Sequence, residues 1–202
     1  MKIIIIGASG KIGVAVDKAL SADHEIIRVG ASSGDIKCNY TDAQSVQSMF
    51  DQVSGYDALV VVAGRDTRFA AFEKLTDDHY RYGFDRKFLG QVRLVSMGQN
   101  TISEGGSMTL TSGFLTHYPN PNSIATGPIN SAIDTFVQNA ASLMPRSIRL
   151  NVVSPAPVVE PRQEKEGLVT AEQTAQFYVQ AIQGDMSGRI LRAWGGLREP
   201  RD

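Results

Sequence analysis

The sequence predicts an α/β protein with a doubly wound parallel sheet of about seven strands and helices on both of its faces. Short apolar runs alternate with longer amphipathic segments along all 202 residues. Several runs are apolar at nearly every position, which is typical of parallel strands covered on both faces. The first run, four isoleucines at residues 3–6, leads through a glycine-rich turn into an amphipathic helix. Strands and helices that alternate in this way indicate a doubly wound sheet.

Seven strands and five helices are predicted in order. The strands fall at residues 3–6, 25–29, 36–38, 58–62, 107–111, 148–153 and 189–194, and the helices at 11–20, 42–53, 77–101, about 128–143 and 171–183. Thr41 with Gln44 and Thr170 with Gln173 fit capping boxes, and Thr76 before two aspartates fits an N-cap. The proline-containing segment 155–167 follows a strand end, and it is either the rim or lid of a site or a plain surface connection.

Composition narrows the classes of function. With 42% hydrophobic and 20% charged residues, we expect one globular domain that spans residues 1–202. A net charge of −1 gives no electrostatic footprint for nucleic acid or an anionic membrane. The single cysteine, Cys38, cannot build a disulfide or a zinc cluster within one chain, so we expect no metal site. The apolar start is too short for a signal peptide, and no run reaches membrane-spanning length, so we expect a cytoplasmic protein.

The glycine-rich turn is the strongest functional signal. Gly7, Gly10 and Gly13 follow a buried strand and open a helix. In this context the first glycine allows a tight turn, the second lets phosphates approach the backbone, and the third lets the helix pack on the sheet. The helix N-terminus favours an anion. The turn therefore predicts a dinucleotide pyrophosphate site; the alternative is an ordinary strand–turn–helix corner that binds nothing.

Four segments resemble the short-chain dehydrogenase/reductase family. They are the glycine turn, Val61-Val62-Ala63-Gly64, Leu110-Thr111-Ser112-Gly113 and Asn151-Val152-Val153-Ser154-Pro155-Ala156. The similarity covers nearly the whole chain and is strongest to a short bacterial subgroup. It implies a Rossmann-type sheet, a nicotinamide cofactor, and hydride transfer between that cofactor and a small carbonyl or alcohol substrate. It also implies a homodimer or tetramer, commonly formed through the helices predicted at 77–101 and 128–143.

The resemblance also implies residues around the cofactor. The pyrophosphate and its ribose would be lined by Gly7, Ser9, Gly10, Lys11, Ile12 and Gly13. No acid follows the second strand before Asp35, and Ser32 and Ser33 can hydrogen-bond a 2′-phosphate, so we predict NADP, with NAD as the alternative. Arg28 or Lys11 is expected to approach that phosphate. The alternative for Ser32 and Ser33 is that they form a simple turn. The alternative for Lys11 is a solvated charge at the start of the helix.

Other positions would complete the cofactor site. The resemblance places Asn39 near the adenine, Ala63 and Gly64 near the adenosine ribose, and the backbone of Val158 near the carboxamide. Ala156 and Glu160 depart from the family pattern, and Glu160 is expected to point away from the phosphates. Arg65 is a further candidate for a phosphate or substrate contact.

The catalytic positions depart most from the family. The family uses a tyrosine four residues before a lysine, and the alignment places Thr126 and Asn130 there. A threonine hydroxyl is a weak acid and asparagine carries no charge, so neither does the usual work. Thr126 is alternatively a helix cap before Pro128, while Asn130 is expected to bond a ribose hydroxyl.

Two other residues are catalytic candidates. Ser112 matches the serine that bonds the substrate carbonyl, or it is a hydroxyl capping a strand end. Lys87 aligns with the family's catalytic asparagine. It would bring a cation to the site and either stabilise a developing alkoxide or deliver a proton, especially if burial lowers its pKa; the alternative is a solvated lysine. His117 and Tyr118 are further proton donors by type, or packing residues.

Three functions remain open from the sequence. The first is an NADP-dependent reductase that acts on a small carbonyl compound. The second is a catalytically inactive dinucleotide-binding protein, a sensor or partner subunit, which the loss of the tyrosine and lysine favours. The third is a structural dimer whose pocket is vacant.

Overall fold

A computed structural model describes residues 1–53, 55–64, 67–163 and 165–198. Its seven parallel strands are β1 (Lys2–Ile6), β2 (Glu25–Gly30), β3 (Ile36–Lys37), β4 (Tyr56–Val61), β5 (Ile102–Thr111), β6 (Arg149–Pro155) and β7 (Ile190–Ala193). Their order in the sheet is β3-β2-β1-β4-β5-β6-β7. The order reverses between β1 and β4, and a ligand crevice forms outside the carboxyl ends of the strands at such a switch point. The predicted doubly wound sheet is confirmed.

The helices are α1 (Lys11–Leu20), α2 (Ala43–Gln52), α3 (Asp77–Gly83), α4 (Leu89–Gly98), α5 (Thr126–Ala140) and α6 (Ala171–Gln183). Short 3₁₀ turns occupy Phe72–Lys74, Phe114–Thr116, Ala141–Leu143 and Pro161–Gln163. A π-helical turn at Phe84–Phe88 joins α3 to α4, so the helix predicted at 77–101 is three segments rather than one. Among the described residues, no helix is long and apolar enough to cross a membrane.

The four isoleucines explain how the sheet is buried. Side chains alternate along a strand, so Ile3 and Ile5 face one layer while Ile4 and Ile6 face the other. The first pair packs in the cluster that contains Val16 and Leu20 of α1 and residues of α6. The second pair packs with residues of α2, α4 and α5. Both faces of the sheet are therefore covered, as the continuous apolar runs predict.

Two of the three predicted helix caps are found in the structure. The capping box of Thr170 and Gln173 is confirmed at the start of α6, and Thr76 is the N-cap of α3. The box of Thr41 and Gln44 is wrong, because Asp42 Oδ1 accepts the Gln44 N–H at 3.0 Å and caps α2 instead. An aspartate directly before the helix competes successfully for the orphan N–H group.

Candidate functional site

The glycine turn lies at the carboxyl end of β1, where the strand order reverses. Gly7 has a φ of +86°, and Gly10 N–H bonds Gly7 C=O at 3.0 Å. The first backbone bond of α1 runs from Val14 N–H to Gly10 C=O, at 2.9 Å. The N–H groups of Lys11, Ile12 and Gly13 lie ahead of it, so they are the helix's orphan donors. Such donors at an exposed helix N-terminus fit a diphosphate.

Two of the three glycines are required by packing. A Cβ at Gly13 would lie 2.1 Å from Gly7 O, and a Cβ at Gly7 would lie 2.9 Å from the backbone N of Ala63. At Gly10 the nearest atom would be Gly7 O at 3.3 Å, and this residue is exposed. Gly7 and Gly13 therefore hold the turn against the sheet and helix, while Gly10 leaves the approach to the donors open.

Glu160 does not point away from the turn, contrary to the sequence prediction. Its Oε1 lies 3.0 Å from Lys11 Nζ, so an ion pair joins the start of α1 to the loop after β6. Both side chains are more than half exposed, so the pair contributes little to stability. A lysine beside the positive end of a helix dipole favours a carboxylate neighbour, which is the physical reason for the contact.

The loop after β2 presents its serines to solvent. Ser32 and Ser33 are both exposed. The Arg28 guanidinium instead donates two hydrogen bonds to Asp17, with Nε–Oδ2 at 2.7 Å and Nη2–Oδ1 at 2.9 Å. Asp35 Oδ2 accepts the backbone N–H of Arg28 at 2.8 Å. Asp17 on α1 thus holds the Arg28 side chain, and the approach of Arg28 to a 2′-phosphate stays a prediction.

The remaining predicted cofactor residues surround the same crevice at different depths. Asn39 is exposed just after β3, and its Oδ1 accepts the Thr41 N–H at 3.2 Å. Ala63 and Gly64 follow β4 beside the glycine turn. Val158 lines the crevice, and the neighbouring bridge uses Val159 N–H and Pro157 C=O. Those two groups bond Val169. Because successive peptide groups point in alternate directions along an extended chain, the N–H and C=O of Val158 point away from Val169.

Lys87 sits on the π turn and is 5% exposed, so the solvated alternative is wrong. Its Nζ donates to Asn130 Oδ1 at 2.6 Å and to Ser112 O at 2.9 Å. A Cβ on Gly64 would lie 3.1 Å from Lys87 Cε, so the apolar part of the lysine side chain passes close to Gly64. Burial lowers the pKa of Lys87 to about 8, with Asp134 opposing that shift. Single π turns inside helices are frequently found at functional sites.

Ser112, Thr126 and Asn130 gather around this lysine. Thr126 is the first residue of α5, not its cap, because Ala125 is the N-cap and is already helical. The Thr126 and Ser112 hydroxyls are buried, and neither has a partner within hydrogen-bond distance in the part of the chain that is described. Asn130 Nδ2 donates to Gly113 O at 3.2 Å. Two buried hydroxyls and an ammonium therefore share one small region.

Two clefts meet at these residues. The first, about 250 Å³, is lined by the glycine turn, Val62 and Val158. The second, about 520 Å³, has mainly apolar walls that include Phe69, Phe114 and Leu115, with Thr126 and Asn130 as polar members. Both clefts share Gly64, Lys87, Ser112, Pro155 and Ala156. The predicted catalytic residues thus stand at the junction of the cleft beside the glycine turn and an apolar pocket.

The remaining candidates lie elsewhere. The His117 ring contacts Trp194, with centroids 5.4 Å apart, and the Tyr118 hydroxyl donates to Arg198 O. Neither residue lines the two clefts as described. Arg65 lies outside the described residues.

One buried polar residue near the site is not among those predicted from the sequence. Asp134 is 5% exposed and lies one helical turn beyond Asn130 on α5. Thr126, Asn130 and Asp134 recur every four residues and so share one helix face. A polar stripe on an amphipathic helix ordinarily faces solvent, so this spacing alone does not predict that Asp134 is buried.

Comparison with known proteins agrees with the fold. Residues 12–187 match the family model described as enoyl-(acyl carrier protein) reductase. An uncharacterized oxidoreductase of Methylorubrum extorquens is 28% identical, over 96% of each chain. A crystal structure of a Listeria innocua protein is 32% identical with a TM-score of 0.90, and covers 96% of this chain and 100% of its own. A small-chain dehydrogenase solved with NADPH is 25% identical with a TM-score of 0.86, over 97% of each chain.

Proposed function

The chain belongs to the short-chain dehydrogenase/reductase family, and we propose that it is an NADP-dependent oxidoreductase. It would transfer a hydride between the nicotinamide and a small carbonyl or alcohol substrate. The observation that carries this proposal is the junction of the two clefts, where the Lys87 ammonium meets the Ser112 and Thr126 hydroxyls.

The dinucleotide would lie along the smaller cleft. The orphan N–H groups of Lys11, Ile12 and Gly13 suit its diphosphate, and Ser9 adds a hydroxyl. The exposed Ser32 and Ser33 would take a 2′-phosphate, with Asn39 near the adenine. Ala63, Gly64 and the backbone of Val158 would border the ribose and carboxamide. When bound, the cofactor supplies or accepts the hydride.

The chain's own residues would handle the oxygen and the proton. The Ser112 and Thr126 hydroxyls would bond the substrate carbonyl oxygen and hold its carbon toward the smaller cleft. As the hydride reaches that carbon, Lys87 Nζ would give a proton to the oxygen, which leaves an alcohol and a neutral amine. Solvent would then protonate the amine again. Asn130, through its bond to Lys87, would fix the direction of the ammonium.

The pKa of Lys87 sets the expected pH dependence. Reduction requires the ammonium, so its rate should fall as pH rises through about 8. Alcohol oxidation requires the neutral amine and should rise over the same range. The family's tyrosine and lysine are thus replaced by one lysine that reaches the site from the π turn.

A second function fits one specific observation. Lys87 Nζ already has two neutral protein acceptors, Ser112 O and Asn130 Oδ1, which would stabilise a site that binds a dinucleotide without turnover. A sensor or partner subunit would use the same glycine turn. The two functions differ only in whether hydride leaves the bound nucleotide.

Calorimetric titration followed by stopped-flow kinetics tests the proposal. We expect NADPH to bind more tightly than NADH, because no acid follows the second strand before Asp35, and the Asp35 carboxylate already accepts the Arg28 N–H. NADPH should then be oxidised by members of a panel of small aldehydes and ketones. Tighter binding of NADH would contradict the cofactor assignment. Binding of NADPH without oxidation by any carbonyl compound would support the non-catalytic function instead.

We propose a homodimer or tetramer formed through α5. An apolar groove runs along this helix between Phe88 and Leu143, with Ala132, Phe136 and Ala140 in its wall. Leu143 is 81% exposed, which is unusual for a large apolar side chain beside such a groove. A second copy of the chain, presenting the same face, would cover it. We keep the cytoplasm as the predicted location and expect neither nucleic acid nor membrane as a partner.

Light scattering during size-exclusion chromatography measures this directly. The chain should elute at two or four times its mass of 21.9 kDa. Leu143→Asp should shift it toward the monomer, because a carboxylate would be buried in the contact. Phe72→Asp, a matched change at another exposed apolar residue, should leave the mass unchanged. A monomeric parent chain would remove the proposed contact.

A further inference from the structure

Helix α5 carries a buried polar stripe that the proposed chemistry uses only in part. Thr126, Asn130 and Asp134 are spaced by four residues, and each is at most 5% exposed. Residues at this spacing lie one above another on the same helix face. Thr126 and Asn130 line the apolar cleft, whereas Asp134 is not among its lining residues. A buried carboxyl thus stands one helical turn behind the site.

Several groups face this carboxyl. Thr116 Oγ1 lies 3.5 Å from Asp134 Oδ2, while Oδ1 has no hydrogen-bond partner among the residues described. Burial raises the pKa of Asp134; the nearby Ser112 hydroxyl, which makes no hydrogen bond to the carboxyl in this structure, opposes this most, followed by the charges of His117, Lys87 and Arg192. These groups come from the π turn, the loop after β5, and β7. Polar and basic groups from three elements therefore act on this one buried carboxyl.

The Lys87 ammonium needs such a neighbour. Its two hydrogen-bond acceptors, a backbone carbonyl and a side-chain amide, are neutral. A buried ammonium without a nearby negative charge loses its proton readily. Asp134 follows Asn130, which accepts a hydrogen bond from the Lys87 ammonium at 2.6 Å, by one turn on the same buried face of α5, and its carboxylate opposes the effect of desolvation on Lys87. The charge balance of the site thus depends on a residue that does not touch the substrate cleft.

We propose that Asp134 is a positioning residue whose negative charge keeps Lys87 protonated and therefore able to act as the acid. The proposal deepens, and for its kinetic part rests on, the proposed reductase function. Without Asp134 the ammonium would keep its hydrogen bonds but lose its counter-charge. Less of the protein would then carry the proton at neutral pH, and reduction would slow without any change in the substrate cleft.

Asp134→Asn tests this, because the amide keeps the size of the side chain and removes its charge. The Lys87 pKa is measured by NMR from the Cε and Nζ shifts of labelled protein, and the signal is assigned by its loss in Lys87→Met. We expect the Lys87 pKa to fall by about one unit, the size expected of a charge several ångströms away. Asp85→Asn, an exposed change on the same π turn as Lys87, should leave it unchanged.

Kinetics give a second reading with NADPH and an active carbonyl substrate. The pH above which reduction falls should move down by the same amount in Asp134→Asn, with KM for the substrate nearly unchanged. An unchanged Lys87 pKa in this variant would overturn the proposal. If the parent chain reduces no carbonyl compound, the proposed function fails while the NMR titration still decides the role of Asp134.

A reciprocal variant covers the case in which Asp134→Asn does not fold. Coupling between two charges acts equally on both, so Lys87→Met should raise the pKa of Asp134, read from its carboxyl carbon. An Asp134 pKa that does not change when Lys87 is replaced would also overturn the proposal.

Discussion

Replacing Lys87 with methionine is expected to lower NADPH-dependent carbonyl reduction by about 10²–10⁴-fold, the usual contribution of a general acid. NADPH affinity should change by less than about threefold, since Lys87 borders the smaller cleft through its apolar stem rather than through a hydrogen bond to the glycine turn. Methionine keeps much of the apolar stem that passes Gly64 and removes only the charged end. Stopped-flow oxidation of NADPH and calorimetric titration measure the two quantities separately.

Two controls define this result. Lys18→Met changes an exposed lysine in the last turn of α1 and should leave turnover unaffected. The parent enzyme should lose reduction as pH rises through about 8, whereas the residual rate of Lys87→Met should show no such fall. Full activity in Lys87→Met would remove this residue from the reaction and leave water or another group as the acid.

Replacing Gly13 with alanine is expected to distort the glycine turn and destabilise the chain. The added Cβ would lie 2.1 Å from Gly7 O and 2.9 Å from Ala8 backbone atoms, neither of which can rotate away. Overpacking of this kind costs about 1–3 kcal/mol, and each kcal/mol lowers Tm by roughly 2–4 °C in a chain of this length. We therefore expect Tm to fall by roughly 2–12 °C, together with at least a tenfold loss of NADPH affinity.

Gly10→Ala is the matched comparison. Its Cβ would meet only Gly7 O, at 3.3 Å, and Gly10 has ordinary helix-cap angles, so the fold should tolerate it. The methyl group would nevertheless stand in front of the orphan N–H groups and weaken NADPH binding. Scanning calorimetry and titration should thus show lost stability and binding in Gly13→Ala, but chiefly lost binding in Gly10→Ala. Equal stability of Gly13→Ala and the parent would contradict the packing described at the turn.

The sheet was readable from the sequence because its signals are local. Ile3–Ile6 can be buried on both sides only between two layers of helices, and α1 and α6 have the bounds that their amphipathic patterns predict. The start of β5 at Ile102 was not readable, because two glycines interrupt it before a register shift against β4. Such pairing is decided by the neighbouring strand rather than by the residues themselves.

The site was only partly readable, for a different reason. The alignment brought Lys87 and Ser112 to the correct end of the sheet, but its spacing gave no sign of the π turn or of burial. Thr126 looked like a cap because threonine before glycine and proline commonly is one, yet Ala125 already has helical angles. The burial of Asp134 cannot be predicted from the sequence, because an isolated acid in a helix usually faces solvent. Only packing of the loop after β5 against α5 makes it buried.

The ion pair between Lys11 and Glu160 has a consequence for how salt acts on ligand affinity. Lys11 lines the smaller cleft at the start of α1, and Glu160 lies on the loop after β6. A phosphate that binds at the glycine turn would compete with the Glu160 carboxylate for the Lys11 ammonium. Added salt screens the attraction of Lys11 for the phosphate, but it equally loosens the carboxylate that must be displaced. The two effects oppose each other. The affinity of this chain for a phosphorylated ligand should therefore decline with ionic strength less steeply than it would if Lys11 had no ion-pair partner.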